Sequence, residues 1–278
     1  MGGKLYVVGT PIGNLGDLSP RALNILETVD FIAAEDTRVT VKLLNHFGIK
    51  KPMVSYHEHN KESRQGSISD RIAAGETCAI VTDAGMPAIS DPGEDLVRLC
   101  HERGLQVESV PGPSALITAL AISGMPSGRF CFEGFLSVNK SSRKEHLEAV
   151  KNDQRTLIFY EAPHKLSATL KDMLTTFGDR EIALVKELTK LHETVERTTL
   201  KAASERYETE PPKGEYVLII KGKEQVDTEE DEDLPLKTAI ELMQNGMSPS
   251  AAAKEAAVLT GGRKNDIYKS LLEMQKTT

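Results

Sequence analysis

Two hydrophobic periods alternate along this chain. Short apolar runs such as Leu5-Tyr-Val-Val8, Phe31-Ile-Ala-Ala34 and Cys78-Ala-Ile-Val81 are separated by stretches in which apolar residues recur every three or four positions. The runs have the pattern of strands buried on both faces, and the intervening stretches that of helices with one apolar side. Strands are predicted near 4–9, 30–34, 52–56, 77–82 and 105–110, with amphipathic helices between them. Ser19-Pro20 reads as N-cap and first helical residue, and Asp91-Pro92 reads the same way before a helix that stops at Gly104. Such alternation builds βα units and a mainly parallel sheet with helices on both faces.

A second α/β stretch follows Ser123-Gly-Met-Pro-Ser-Gly128, which reads as a hinge. Strands are predicted near 129–134, 155–160, 181–187, 194–199 and 215–221, and helices near 141–152 and 163–176. Fewer helices separate the later strands, so this sheet should be mixed. Beyond an acidic run, Leu236–Asn245, Ser248–Thr260 and Arg263–Gln275 read as three short helices broken at Asn245-Gly246 and Gly261-Gly262. They resemble a helix-turn-helix unit with Arg263-Lys264-Asn265 leading the third helix; a helical packing appendage fits the same pattern. The expected organisation is an α/β domain over 1–124, a second over 125–226, an acidic linker over 227–234 and the helical unit over 235–278.

Composition narrows the classes. Hydrophobic residues make up 39% of the chain, and no apolar run approaches the roughly 20 residues that span a bilayer, so no membrane segment is expected. The N-terminus enters a strand almost at once, which argues against a signal peptide. Cys78, Cys100 and Cys131 fit no zinc spacing, and an odd number of thiols in apolar contexts points to a reducing, cytoplasmic setting. The net charge of −7 is concentrated in one place, since six of the seven residues from Asp227 to Asp233 are acidic. That run should be a solvated linker. The rest of the chain is near neutral, and residues 235–278 hold six Lys/Arg against four Asp/Glu, so local basic faces are possible.

The candidate chemistry sits where strands end. Gly9-Thr-Pro-Ile-Gly-Asn-Leu-Gly16 lacks both the spacing of a dinucleotide fingerprint and the Gly-Lys-Ser/Thr of a P-loop, which disfavours nicotinamide enzymes and P-loop NTPases. Thr82-Asp-Ala-Gly-Met-Pro-Ala-Ile-Ser-Asp-Pro-Gly93 carries two prolines and two further glycines that constrain its path without secondary structure. Pro111-Gly-Pro-Ser-Ala115 opens a helix whose first N–H groups can face a ligand. If their strands are parallel neighbours, all three loops lie on the ligand-binding edge of one sheet and must share a rim. Polar clusters end other strands: Glu35-Asp-Thr-Arg38, His57-Glu-His-Asn60, Glu161-Ala-Pro-His164 and Lys186-Glu-Leu-Thr-Lys190. His57 and His59 flank a carboxylate, but no third ligand has a matching spacing, so no metal is expected.

The set Val8-Gly-Thr-Pro-Ile-Gly-Asn14, Ala34-Glu-Asp-Thr-Arg38, Asp83-Ala-Gly-Met-Pro-Ala-Ile-Ser-Asp-Pro-Gly93, Val110-Pro-Gly-Pro-Ser-Ala115, Phe159-Tyr-Glu-Ala-Pro-His164 and Lys186-Glu-Leu-Thr-Lys190 resembles the tetrapyrrole-methylase-fold superfamily, the class III S-adenosylmethionine methyltransferases. The likeness covers essentially the whole chain. Gly-Thr-Pro-Ile-Gly stands where porphyrin-modifying relatives usually have Gly-x-Gly-Pro-Gly, and Ala84-Gly-Met-Pro87 where they tend to have Gly-Gly-Asp-Pro. Both departures favour the branch that methylates the ribose 2′-oxygen of a decoding-region cytidine in 16S ribosomal RNA. The resemblance implies two α/β domains with S-adenosylmethionine in the cleft between them, a homodimer, and 16S RNA or the 30S subunit as partner. It places the donor against Pro11, Ile12, Asp83, Ala84, Gly85, Met86, Ile89, Ser114, Ala115, Tyr160, Glu161 and Leu188.

A sulfonium methyl is already electrophilic, so such an enzyme chiefly aligns oxygen, carbon and sulfur and helps the hydroxyl lose its proton. Lys186 and Glu187, at a strand end, are expected to orient or deprotonate that hydroxyl; a structural ion pair is the competing reading. Glu35, Arg38, His57 and Asn60 are expected to line the substrate side, with Arg38 on phosphate. Lys140 to Lys144, Lys61 to Arg64 and Arg263-Lys264 are candidate phosphate contacts. Two other classes share parts of this pattern. A tetrapyrrole C-methyltransferase would need a broad apolar trough, and a non-enzymatic nucleic-acid-binding regulator would use the helical unit with the α/β body as a ligand sensor.

Overall fold

Five parallel strands form the first sheet: β1 (Lys4–Val8), β2 (Phe31–Ala34), β3 (Met53–Ser55), β4 (Thr77–Val81) and β5 (Gln106–Val110), in the order β3-β2-β4-β1-β5. The structure is a computed structural model and describes residues 2–224 and 234–277; of the linker predicted at 227–234, residues 227–233 lie outside the described residues and Leu234 instead begins a helix. Successive residues of each strand serve opposite faces. Ile32, Ala34, Ala79 and Val81 pack on α1 (Pro20–Thr28) and α2 (Thr37–His46) through Leu26 and Leu44. Phe31, Ala33, Cys78 and Ile80 pack on α3 (Lys61–Ala73) and α4 (Glu94–Glu102) through Ile68, Ile72, Leu96 and Cys100. Ser19 caps α1 as expected, its hydroxyl accepting from the Ala22 N–H at 3.1 Å. Asp91 caps nothing. α4 begins three residues later, after Gly93 at φ +142°, a conformation that releases the chain from the loop.

The second sheet has the order β6-β7-β10-β8-β9, from β6 (Phe130–Phe135), β7 (Thr156–Glu161), β8 (Glu181–Lys186), β9 (Thr194–Thr199) and β10 (Tyr216–Ile220). Only β6 and β7 are parallel, so the sheet is mixed, as the sparse helices foretold. One face is covered by α6 (Lys140–Val150), α7 (Pro163–Phe177) and α8 (Leu200–Thr209), whose Leu147, Leu166, Leu170, Leu200 and Ala203 meet Leu157, Phe159, Leu184 and Leu218. α8 was not singled out by its pattern, because its polar positions outnumber the buried Leu200, Ala203 and Tyr207. The other face, with Ile158, Ala183, Val185, Val217 and Ile219, receives α5 (Ala115–Ser123) through Leu116, Ala119 and Leu120. Helix α5 follows directly from β5, so the first sheet contributes the helix that covers the second.

The described residues divide into two compact units at 223/224. The smaller one holds α9 (Leu234–Gln244), α10 (Pro249–Thr260) and α11 (Lys264–Thr277) around Ala239, Ala253, Ala256, Ile267 and Leu271. Ser248 caps α10, with Pro249 as its first residue. Among the described residues no helix is long and apolar enough to cross a membrane.

Candidate active site

Because β4, β1 and β5 are parallel neighbours, their carboxyl ends deliver three loops to one edge. The loops touch through main chain. Thr10 N–H donates to Gly85 O at 2.9 Å and Gly85 N–H to Thr10 O at 3.1 Å, and the buried Thr10 hydroxyl donates to Thr82 O at 3.1 Å. Gly9 N–H donates to Val110 O at 3.1 Å, and a Cβ on Gly9 would stand 2.7 Å from Gly112 Cα. A side chain at either glycine would force the first and third loops apart. The shared rim that the three motifs require is therefore present.

Beneath the rim lies a cavity of about 470 Å³, a size typical of small-ligand sites. Its wall from the second sheet is one cross-strand row, Tyr160 on β7, Val217 on β10 and Val185 on β8, held in register by the antiparallel ladders. Phe132 and Phe135 meet the Tyr160 ring edge-on at 4.9 and 5.4 Å. The Tyr160 hydroxyl accepts from Leu116 N–H at 3.0 Å and so pins the start of α5. Burial pushes this phenol up. Ser114 makes no capping bond, which leaves N–H groups in the first turn of α5 open to a ligand. Glu161 is a buried carboxylate whose oxygens are occupied by Ala162 N–H at 2.9 Å, the Thr169 hydroxyl at 2.5 Å and Lys165 Nζ at 3.1 Å. It fixes the β7–α7 corner.

Of the twelve predicted donor contacts, Ile12, Asp83, Ala84, Gly85, Met86, Ile89, Ser114, Ala115, Tyr160, Glu161 and Leu188 all line this cavity. Pro11 is buried behind them. The substrate-side residues divide. Glu35 lines the cavity. Arg38 turns back on Asp36, donating at 2.6 Å, and pulls that carboxyl down to about 2; its own side chain is 87% exposed, outside the cavity. Asn60 Oδ1 accepts from His57 N–H at 2.8 Å and Asn60 Nδ2 donates to Ser55 O at 3.2 Å, so Asn60 braces its own loop. His57 Nδ1 is buried without a hydrogen-bond partner among the described residues.

Lys186 and Glu187 stay out of the cavity, contrary to expectation. Strand alternation decides this: Val185 takes the cavity face, so Lys186 shares the opposite one with Ile182 and Leu184. Glu187, at φ +53°, accepts from Glu215 N–H at 2.9 Å and from Lys190 Nζ at 3.1 Å. Those bonds, the backbone one first, hold its carboxyl below the ordinary range. It is a turn brace.

Sequence reasoning missed Ser90, Asp91, Phe135, Val185 and Val217 as lining residues. Val217 needed a register that no local pattern supplies, and Asp91 was hidden by its Asp-Pro cap signature. A groove of about 400 Å³, lined by Glu35, Glu58, Ala88, Ser90, Asp91, Pro92 and Glu94, shares Glu35, Ser90 and Asp91 with the cavity, so the two concavities adjoin. Glu35 Oε2 accepts from Asp83 N–H at 3.3 Å while Asp83 Oδ1 accepts from Asp36 N–H at 3.2 Å, clasping the β2 and β4 loops. Burial raises both carboxyls. Burial, then the charges of Glu35 and Asp83, push Asp91 up to about 6. Among the described residues there is no cluster of His, Cys, Asp and Glu suited to a metal.

The model of the tetrapyrrole (corrin/porphyrin) methylases matches residues 4–204, and that of the RsmI C-terminal HTH domain matches 229–275. Proteins named ribosomal RNA small subunit methyltransferase I are 44% identical in Synechocystis, over 98% of this chain and 99% of theirs, and 46% identical in Xylella fastidiosa, over 96% and 98%. The chain belongs to the ribosomal RNA small subunit methyltransferase I family. It is an S-adenosylmethionine-dependent methyltransferase with the tetrapyrrole methylase fold. The family member of Thermotoga maritima is 47% identical over 222 residues, 80% of this chain and all of its own, which is about the size of the larger unit. Among solved structures, diphthine synthase superposes with a TM-score of 0.62 at 14% identity over 79% of this chain and 90% of its own. Cobalt precorrin-4 methyltransferase gives 0.57 at 19% over 78% and 94%. These show the shared fold alone.

The cavity fits the donor. Its volume, the aromatic and aliphatic wall on one side, the open first turn of α5 and the carboxylates of Asp83 and Glu35 on the other suit a molecule with a flat ring at one end and charged groups at the other.

Proposed function

We propose that this chain methylates the ribose 2′-oxygen of a cytidine in the decoding region of 16S ribosomal RNA, presented as RNA or within the 30S subunit, in the cytoplasm. The observation that carries the reading is the polar border of the cavity. Glu35, Ser90 and Asp91 line both the cavity and the groove beside it, which Glu58 and Glu94 continue. A macrocycle would need a broad apolar trough there, whereas a sugar brings hydroxyls that carboxylates can accept from. Near-full-length identity with relatives named for small-subunit RNA supports the polymer over a free nucleoside.

Bound S-adenosylmethionine supplies an electrophilic methyl on sulfur. The chain's own part is to hold that methyl toward the mouth, exclude water and receive the acceptor's proton. The row Tyr160–Val217–Val185 and Leu188 form the dry wall, and the main chain of the three loops forms the polar rim. Lys61 is held by Glu58 and Asp95, each at 2.8 Å, and Arg38 by Asp36, so RNA phosphates would have to compete for these cations.

Calorimetry with S-adenosylmethionine, followed by transfer of a tritiated methyl to 30S subunits lacking the modification, tests the reading. The expected product is an alkali-stable dinucleotide carrying labelled cytidine, because a 2′-O-methyl blocks strand cleavage. Label in an alkali-released mononucleotide would place the methyl on a base and defeat the proposal. The dimer is part of the same reading: Val138 is 78% and Leu191 92% exposed, apolar area that a second copy would cover. Sedimentation should give twice the mass of 30.4 kDa, and a monomer at micromolar concentration would remove that part.

A further inference from the structure

We propose that Asp91 is the catalytic base, the group that takes the proton from the acceptor hydroxyl as its oxygen bonds to the methyl carbon. This rests on the reading that the acceptor is a ribose hydroxyl and goes beyond it by assigning the residue.

Position comes first. Asp91 borders both the donor cavity and the outer groove, and only Glu35 and Ser90 share that place. A methyl held in the cavity and a sugar entering by the groove meet there. Availability then separates the carboxylates. Glu35 accepts from Asp83 N–H, and Asp83 accepts from Asp36 N–H, so each is engaged in the loop clasp. Asp91 caps no helix, and its carboxylate makes no hydrogen bond among the described residues. It is half-buried, and its oxygens are open to an incoming O–H donor.

The backbone holds it there. Ala88 and Ser90 adopt φ +68° and +64°, a region that costs a side-chain-bearing residue of order 1 kcal/mol or more. Pro87 and Pro92 bracket them, and Ala88 N–H donates to Pro92 O at 3.3 Å, closing the loop around residues 89–91. A loop strained and locked in this way spends stability to fix a side chain. The charged and titratable groups facing Asp91 are Glu35 from the end of β2, Asp83 from the end of β4, Tyr160 from β7, and Glu58 and Glu94 across the groove. None is a cation. Proton affinity is therefore raised, which suits a base that must accept a proton near neutral pH.

The step balances. The oxygen–carbon bond forms and the carbon–sulfur bond breaks, with its electron pair left on sulfur. The hydroxyl proton passes to an Asp91 carboxylate oxygen and leaves later to water through the groove.

The test uses the full-length chain and the isosteric Asp91→Asn variant, with Asp91→Glu beside it. Three quantities are read: donor affinity by calorimetry, single-turnover methyl transfer to 30S subunits against pH, and the carboxyl carbon of Asp91 by NMR titration without donor. Expected are donor affinity within about twofold of the parent and a single-turnover rate lower by about 10²–10⁴-fold in Asp91→Asn. The parent should show an acid limb whose midpoint matches the NMR titration, at about 6. That limb should vanish in Asp91→Asn and return, at lower rate, in Asp91→Glu. A rate for Asp91→Asn within about threefold of the parent, or an acid limb that ignores the NMR midpoint, overturns the assignment while ribose labelling by the parent still stands. A parent that binds donor yet labels no ribose oxygen overturns the underlying reading, and this inference with it.

Discussion

Asp91 shows how chemistry and folding pull one residue in opposite directions. Its raised proton affinity means that the ionised form is less favourable in the folded chain than in the unfolded one. The cost is absent below the ordinary carboxylate range near 4 and complete above about 6, so stability from this group falls as pH rises through that window. Asp91→Asn should therefore raise the melting temperature at pH 8 and leave it nearly unchanged at pH 4. Solvent screening limits the gain to about 1–2 kcal/mol, read from denaturant unfolding at the two pH values. An equal effect at both would show that charge is not the cause. At this scale the sequence was legible wherever main chain makes the site. Gly85, Ser114 and Ala115 were identifiable because glycine, proline and a helix start constrain the path. It misled where one dipeptide serves two structures: Asp91-Pro92 reads as a cap, and only the Gly93 turn shows that the helix starts later. Lys186 misled for a different reason. Its place at a strand end was right, but which face it takes depends on a neighbour, Val185, that packing claims for the cavity.

At the scale of elements, the shape of the cavity proposed for the donor depends on contact between main chains. Gly112 faces Gly9 so closely that a Cβ there would lie 2.8 Å from the Gly9 carbonyl. Neither backbone can yield as a flexible side chain would. Gly112→Ala should weaken donor binding by at least about tenfold, while far-ultraviolet circular dichroism keeps the parent's shape, because overpacking of this kind costs about 1–3 kcal/mol. Unaltered affinity would mean that the loops do not need to touch. The elements themselves were easily read. Buried strands bounded by Gly and Pro, together with Ser19-Pro20 and Ser248-Pro249 starts, place nearly all of them. The register of the second sheet was not readable, because it follows from side chains packing on both faces of β10. The Tyr160–Val217–Val185 row emerges only from that register.

For the whole molecule, the two compact units invite separate tests. The Thermotoga maritima relative has the length of the larger unit alone, which argues that the donor site does not need residues 235–278. Their six Lys/Arg against four Asp/Glu give a local excess of positive charge on a chain that is otherwise acidic or neutral. Deleting 235–278 should leave donor affinity unchanged, weaken RNA binding and flatten its dependence on salt, because fewer phosphate counterions are released. A salt slope equal to that of the full chain would mean that this unit grips no phosphate. Its three helices were visible in sequence from their breaks at Asn245-Gly246 and Gly261-Gly262.

Helix α5 leaves the last strand of the parallel sheet and lies under the mixed one, and its first turn is also a wall of the cavity. The two layers thus meet beside the cavity proposed for the methyl donor. Any ligand seated there would touch both layers at once, so its affinity would report on how the two are aligned.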